Sequence, residues 1–126
     1  MRPIPFRQIG DVYQYLEIEA GKSGTVFSLE LPVGYVGFIT EMYINWFPNT
    51  YSYLYIDNFR EMKIERIIGD ISSPKPYSPP ILVRRKIELI SYNNDSYTHY
   101  FDAIIDGVAY DFAYELRRFR YAKVNR

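Results

Sequence analysis

Apolar and polar positions alternate with a period of two along most of this chain, the pattern of strands that bury one face. In Val12-Tyr13-Gln14-Tyr15-Leu16-Glu17-Ile18-Glu19, the residues Val12, Leu16 and Ile18 share a side, with Glu17 and Glu19 opposite. Ala20 to Gly24 is a turn, after which Phe27, Leu29 and Leu31 point inward, so residues 12–31 predict a hairpin. The longest signal runs from Tyr35 to Phe47, with Val36, Phe38, Met42, Ile44 and Trp46 on the expected core face and Thr40 as its only polar member. Pro48-Asn49-Thr50 turns the chain into Tyr51 to Ile56, where Tyr51, Tyr53 and Tyr55 lie together on one face and Leu54 and Ile56 add to the core. Asp57-Asn58 closes that strand.

Met62, Ile64 and Ile68 form a short apolar side, although Phe59 to Ile67 also suits a helix. Gly69 to Pro80, with prolines at 74, 76, 79 and 80, predicts a long ordered loop. Ile81 to Ser91 and Tyr97 to Ile105 are two further strands around Tyr92-Asn93-Asn94-Asp95-Ser96. Asp106-Gly107 is the strongest hairpin signal, leading into a last strand with Val108, Tyr110, Phe112 and Tyr114. Strands separated by turns, with no convincing amphipathic helix, predict an all-β fold: an antiparallel β-sandwich or jelly roll of about eight strands. At 126 residues one domain is expected, with an extended arm over 1–11 carrying Pro3 and Pro5, a sandwich over 12–114 and a basic tail over 115–126.

Charge changes this picture only at the tail. Fifteen basic residues balance fifteen acidic ones, which speaks against recruitment of nucleic acid or an anionic membrane by a global field. Residues 115–126 hold five of the basic and one of the acidic residues, so ten basic and fourteen acidic residues remain elsewhere. The tail interleaves Arg117, Arg118 and Arg120 with Phe119 and Tyr121, which suits docking on an acidic neighbour. No apolar run reaches membrane-span length, and a soluble protein without a signal peptide is expected. Fourteen tyrosines exceed what one small core uses, so some cover outer sheet faces or form a partner or glycan surface.

Candidate chemistry is sparse. Without cysteine there are no disulfides, thiolate metal sites or cysteine nucleophiles. His99 is the only histidine and shares a predicted strand face with Phe101, the position of a packed residue more than of a general base. Asp57, Asp102, Asp106 and Asp111 are the carboxylates available for glycoside hydrolysis, but turn positions and outward-facing strand positions explain them as well. Asn93-Asn94-Asp95, with Asp102, offers oxygen ligands to calcium, and turn chemistry accounts for it equally. Gly34-Tyr35-Val36-Gly37 lacks the following helix of a phosphate loop and reads as a strand entry. No catalytic residue, metal site or cofactor is therefore expected, and a non-enzymatic role is.

The stretch Leu31-Pro32-Val33-Gly34-Tyr35-Val36-Gly37-Phe38-Ile39, with Ile56-Asp57-Asn58, Pro79-Pro80 and Asp106-Gly107, resembles the small jelly-roll accessory proteins of tailed-phage virions, such as head-decoration or tail-associated subunits. That resemblance implies a structural protein forming a symmetric homo-oligomer, often a trimer, in contact with another structural protein of the virion. The alternative is a carbohydrate-binding module in which Tyr51, Tyr53 and Tyr55 stack on a glycan.

Overall fold

In the computed structural model, which describes residues 3–111, the chain forms two antiparallel sheets packed face to face. The strands are β1 (Pro3–Pro5), β2 (Tyr13–Ile18), β3 (Ser23–Glu30), β4 (Tyr35–Ile44), β5 (Thr50–Ile56), β6 (Phe59–Ile64), β7 (Lys75–Val83), β8 (Lys86–Asn93) and β9 (His99–Asp111). One sheet runs β1-β9-β4-β7, with β2 also on β9, and the other runs β3-β8-β5-β6. Both β1 and β2 lie along β9, so they act as one strand broken by a 3-10 turn at Phe6–Gln8. Counted that way the pairing is nested: first with last (β1/β2 with β9), β3 with β8, β4 with β7, and β5 with β6 innermost. This is the pairing of a jelly roll, and the all-β sandwich is the fold class that the alternation predicts.

The core fills the space between the sheets. Ile39, Met42, Ile44, Phe101 and Ile105 come from one sheet, Phe27, Leu29, Leu54, Ile87 and Leu89 from the other, and Phe6 is buried beside them. Polar side chains that enter this layer are satisfied: the Ser52 and Ser91 hydroxyls lie 2.6 Å apart, and the Asn93 amide donates to the carbonyls of Ile18 and Tyr97. A buried polar atom left unpaired would cost about 1–3 kcal/mol, so these pairs are what permits polar residues on inward positions.

Several elements differ from the sequence expectation, each for a physical reason. Residues 12–31 are no hairpin, because β2 pairs with β9 and β3 with β8. On β4 a bulge at Thr40, between the pairs Ile39–Gly107 and Glu41–Asp106, changes the phase of the alternation. Gly37 and Ile39 therefore face the core before the bulge and Met42 and Ile44 after it, while Val36 and Phe38 turn to the outer face. Trp46 lies beyond the strand, half-buried, its indole N–H donating to Thr50 O at 2.8 Å.

Asp106-Gly107 is not a turn but the middle of the 13-residue β9. Glycine is required there by close approach: a Cβ on Gly107 would sit 2.0 Å from the Phe38 carbonyl oxygen, opposite the bulge. The true two-residue hairpin is Asp57-Asn58, with φ values of 55° and 71°, joining β5 to β6 and leaving no helix over 59–67. The proline-rich segment is not wholly loop, since Lys75–Val83 forms β7 at a sheet edge, where missing amide donors do no harm. The arm expected over 1–11 pairs through Pro3–Pro5 with its own β9 and buries Phe6, with Arg7 bonded to Asp106 at 2.9 Å. Phe112, Tyr114 and the tail over 115–126 lie outside the described residues.

Candidate functional site

Two tyrosine clusters form, one on the outer face of each sheet. On the four-stranded sheet, Tyr51, Tyr53 and Tyr55 alternate with the inward Ser52, Leu54 and Ile56 of β5, as the sequence predicts. Tyr92, across from Tyr51 on β8, completes the cluster, its ring stacked on Tyr51 at 4.9 Å. Tyr53 meets Tyr51 edge-on at 5.5 Å and lies beneath the Arg60 guanidinium at 3.7 Å. Lys63 stands 5.0 Å from the Tyr51 ring and is bonded to Glu65 at 2.9 Å. Cations over aromatic faces are attracted by the ring quadrupole, which places Arg60 and Lys63 here. Arg60 and Tyr92 therefore already occupy ring faces of Tyr53 and Tyr51 on which a sugar would stack, and all three β5 tyrosines are half-buried.

On the five-stranded sheet the tyrosines come from strands distant in sequence. Register places Tyr15 opposite Asp102 and Glu17 opposite Tyr100 on one outer face. Tyr15 stacks on Tyr100 at 5.4 Å and contacts Tyr13 at 5.8 Å. Tyr15, Tyr100 and Tyr13 are 58%, 49% and 39% exposed, so part of their apolar area is left open by the described fold. Asp102 anchors the cluster by accepting hydrogen bonds from the Tyr13 hydroxyl at 3.0 Å and the Tyr43 hydroxyl at 2.9 Å. Burial, and then those bonds to Asp102, raise both phenols above the ordinary tyrosine range. Burial raises Tyr100 as well, and neighbouring Tyr15, Asp102 and Glu17 act in the same direction. The face is thus aromatic and acidic, and its raised phenols remain protonated hydrogen-bond donors at neutral pH.

The remaining candidates fall apart into structural roles. Asp57 sits in the β5–β6 turn, and its carboxylate accepts the backbone N–H groups of Arg84, Arg85 and Lys86, tying the β7–β8 connection to that hairpin. Asp106 lies on the outer face of β9 with Arg7 and is not a turn residue, while Asp111 ends the described part of β9. His99 stacks on Phe47 at 4.2 Å and bonds Asp95 at 2.7 Å, sharing a face with Phe101 as expected. The His99 bond, then the Ser96 amide, hold the Asp95 carboxyl below the usual carboxylate range. Asn93 and Asp95 spend their oxygens on these bonds and on local amides, which is turn chemistry. Among the described residues, no group of three His, Asp or Glu gathers as a metal site.

Sequence reasoning found Tyr51, Tyr53 and Tyr55 because they share one strand. It missed Tyr13, Tyr15 and Tyr100, which meet only through the β2–β9 pairing; the alternate tyrosines of β2 were the available signal. Arg117, Arg118, Phe119, Arg120 and Tyr121 lie outside the described residues. No protein-family model matches this chain, and no curated protein matches it in sequence.

Proposed function

We propose that this protein is a non-enzymatic assembly subunit that associates with further copies of itself through the outer tyrosine face of its five-stranded sheet. The supporting observation is the exposed Tyr13–Tyr15–Tyr100 cluster beside Glu17 and Asp102. Tyrosine supplies large contact area at low entropic cost, and exposed aromatic groups of this kind are enriched at interfaces. The acidic character of the face complements the basic segment 115–126, in which Arg117, Arg118 and Arg120 flank Phe119 and Tyr121. An arginine from a second copy would meet both a carboxylate and an open ring face there.

The narrower setting, a trimeric accessory subunit of a phage virion bound to another structural protein, rests on the resemblance over residues 31 to 107 and on the jelly-roll pairing. A glycan-binding role for Tyr51, Tyr53 and Tyr55 has less support, since neighbouring groups lie on the faces of Tyr51 and Tyr53. Light scattering on the full chain and on a version ending at Tyr114 tests the assembly reading. An oligomer that dissociates on truncation or at high salt is expected. A full chain that is monomeric at micromolar concentration contradicts it.

A further inference from the structure

The two edges of the five-stranded sheet carry opposite chemistry. At the β2 edge, residues 11–19 hold Asp11, Glu17 and Glu19 and no cation, beside the Tyr15–Tyr100 stack. At the β7 edge, residues 75–86 hold Lys75, Arg84, Arg85 and Lys86 and no carboxylate. Lys75 lies over the Tyr77 ring and Lys86 is bonded to Glu88, which leaves Arg84 and Arg85. Asp57 fixes both through their backbone N–H groups, and both residues are exposed. Among the described residues neither guanidinium meets a carboxylate. Before them, the pairing of β7 with β4 jumps from Ile81 to Pro76, so the four residues between bulge from the edge opposite Thr40. Tyr77 packs toward the core, and Ser78, Pro79 and Pro80 form an exposed knob.

We propose that self-association is head to tail: the Pro79-Pro80 knob of one copy packs on the Tyr15–Tyr100 stack of the next, with Arg84 and Arg85 against Glu17 and Glu19. This inference rests on the assembly reading above and names the surface that the tyrosine face meets. A two-fold contact of that face with itself would set Glu17 and Asp102 against like charges. The counter-surface must therefore be basic and must offer apolar groups to the rings, and the β7 edge has both. Proline is already rigid, so docking it on open aromatic surface costs little ordering. Arginine and carboxylate form strong charge-assisted pairs. The spacings also agree: Arg84 lies four residues beyond Pro80 and Glu19 four beyond Tyr15, about 13 Å in extended chain. Because β2 and β7 border opposite sides of one sheet, a copy cannot join its own two surfaces. Repeating the contact from copy to copy generates a ring where the rotation closes.

Sedimentation velocity on the full chain at micromolar concentration tests the contact by charge exchange. Wild type should be oligomeric; a monomeric wild type overturns the assembly reading and this inference with it. Glu17→Lys with Glu19→Lys, and Arg84→Glu with Arg85→Glu, alter only exposed positions and should each yield monomers with near-native melting temperatures. Mixed in equal amounts, the two double variants should associate with each other, and a chain carrying all four substitutions should assemble alone. Pro80→Ser should raise the dissociation constant about fivefold or more at unchanged melting temperature, which keeps a test where a charge reversal impairs folding. With an oligomeric wild type, three results overturn the head-to-tail contact while the assembly reading stands: unchanged assembly in the Arg84 and Arg85 variant, no association of the folded double variants on mixing, or an unchanged dissociation constant in Pro80→Ser.

Discussion

The two outer faces use the same residue type to opposite ends. On the four-stranded sheet the tyrosines spend their rings on one another and on Arg60 and Lys63, a closed arrangement within the fold. On the five-stranded sheet Asp102 takes the hydroxyls of Tyr13 and Tyr43, while Tyr15 and Tyr100 keep exposed ring surface. Tyrosine content alone therefore does not mark a docking face. What decides is whether neighbouring cations and rings cover the aromatic faces.

The largest expected effect comes from the core that both faces share. Phe101→Ala should cost about 3–5 kcal/mol, the usual range for truncating a buried aromatic, because Phe101 is fully buried between the sheets. Urea unfolding followed by tyrosine fluorescence should show both clusters melting in one transition. Separate transitions would show that the two sheets do not share a cooperative core.

Asp102→Ala should act on one face only. Removing a largely buried acceptor of two hydroxyls should cost about 1–3 kcal/mol. In NMR spectra the Tyr13 and Tyr43 rings should shift while Tyr51 and Tyr92 stay. Asp95→Asn tests the carboxylate bonded to His99. The folded-state value of Asp95 lies below its unfolded one, so its stabilisation is present above the unfolded value of about 4 and is lost as pH falls through the folded one. The variant should be less stable near neutrality and lose less stability than wild type on acidification, as read from thermal melts between pH 6 and pH 2. Arg60→Ala should have the smallest effect, a change in the Tyr53 and Tyr55 ring resonances with little movement of the urea midpoint.

Strands and short turns were legible in the sequence because alternation and φ-demanding residues are local signals. The face of β5 and the Asp57-Asn58 turn follow from them directly. Pairing was not legible, since the nested order joins strands far apart in the chain while adjacent ones such as β2 and β3 enter different sheets. The bulge at Thr40 inverted half of β4, and its only trace was one polar residue on an otherwise apolar side. Asp106-Gly107 misled for a related reason, because its glycine answers a crowded neighbour strand and not a turn. The site followed the same division: Tyr51, Tyr53 and Tyr55 were found within one strand, and the Tyr15–Tyr100 stack needed the β2–β9 pairing to exist.

The difference between the two faces is tested most directly by light scattering on paired variants at micromolar concentration. Tyr15→Ser combined with Tyr100→Ser removes the open rings, and Tyr53→Ser removes a covered one. Assembly through the five-stranded sheet predicts that the first variant is monomeric with a near-native melting temperature while the second remains oligomeric like the full chain. An oligomer unaffected by the double substitution, or dissociated equally by both variants, would contradict it.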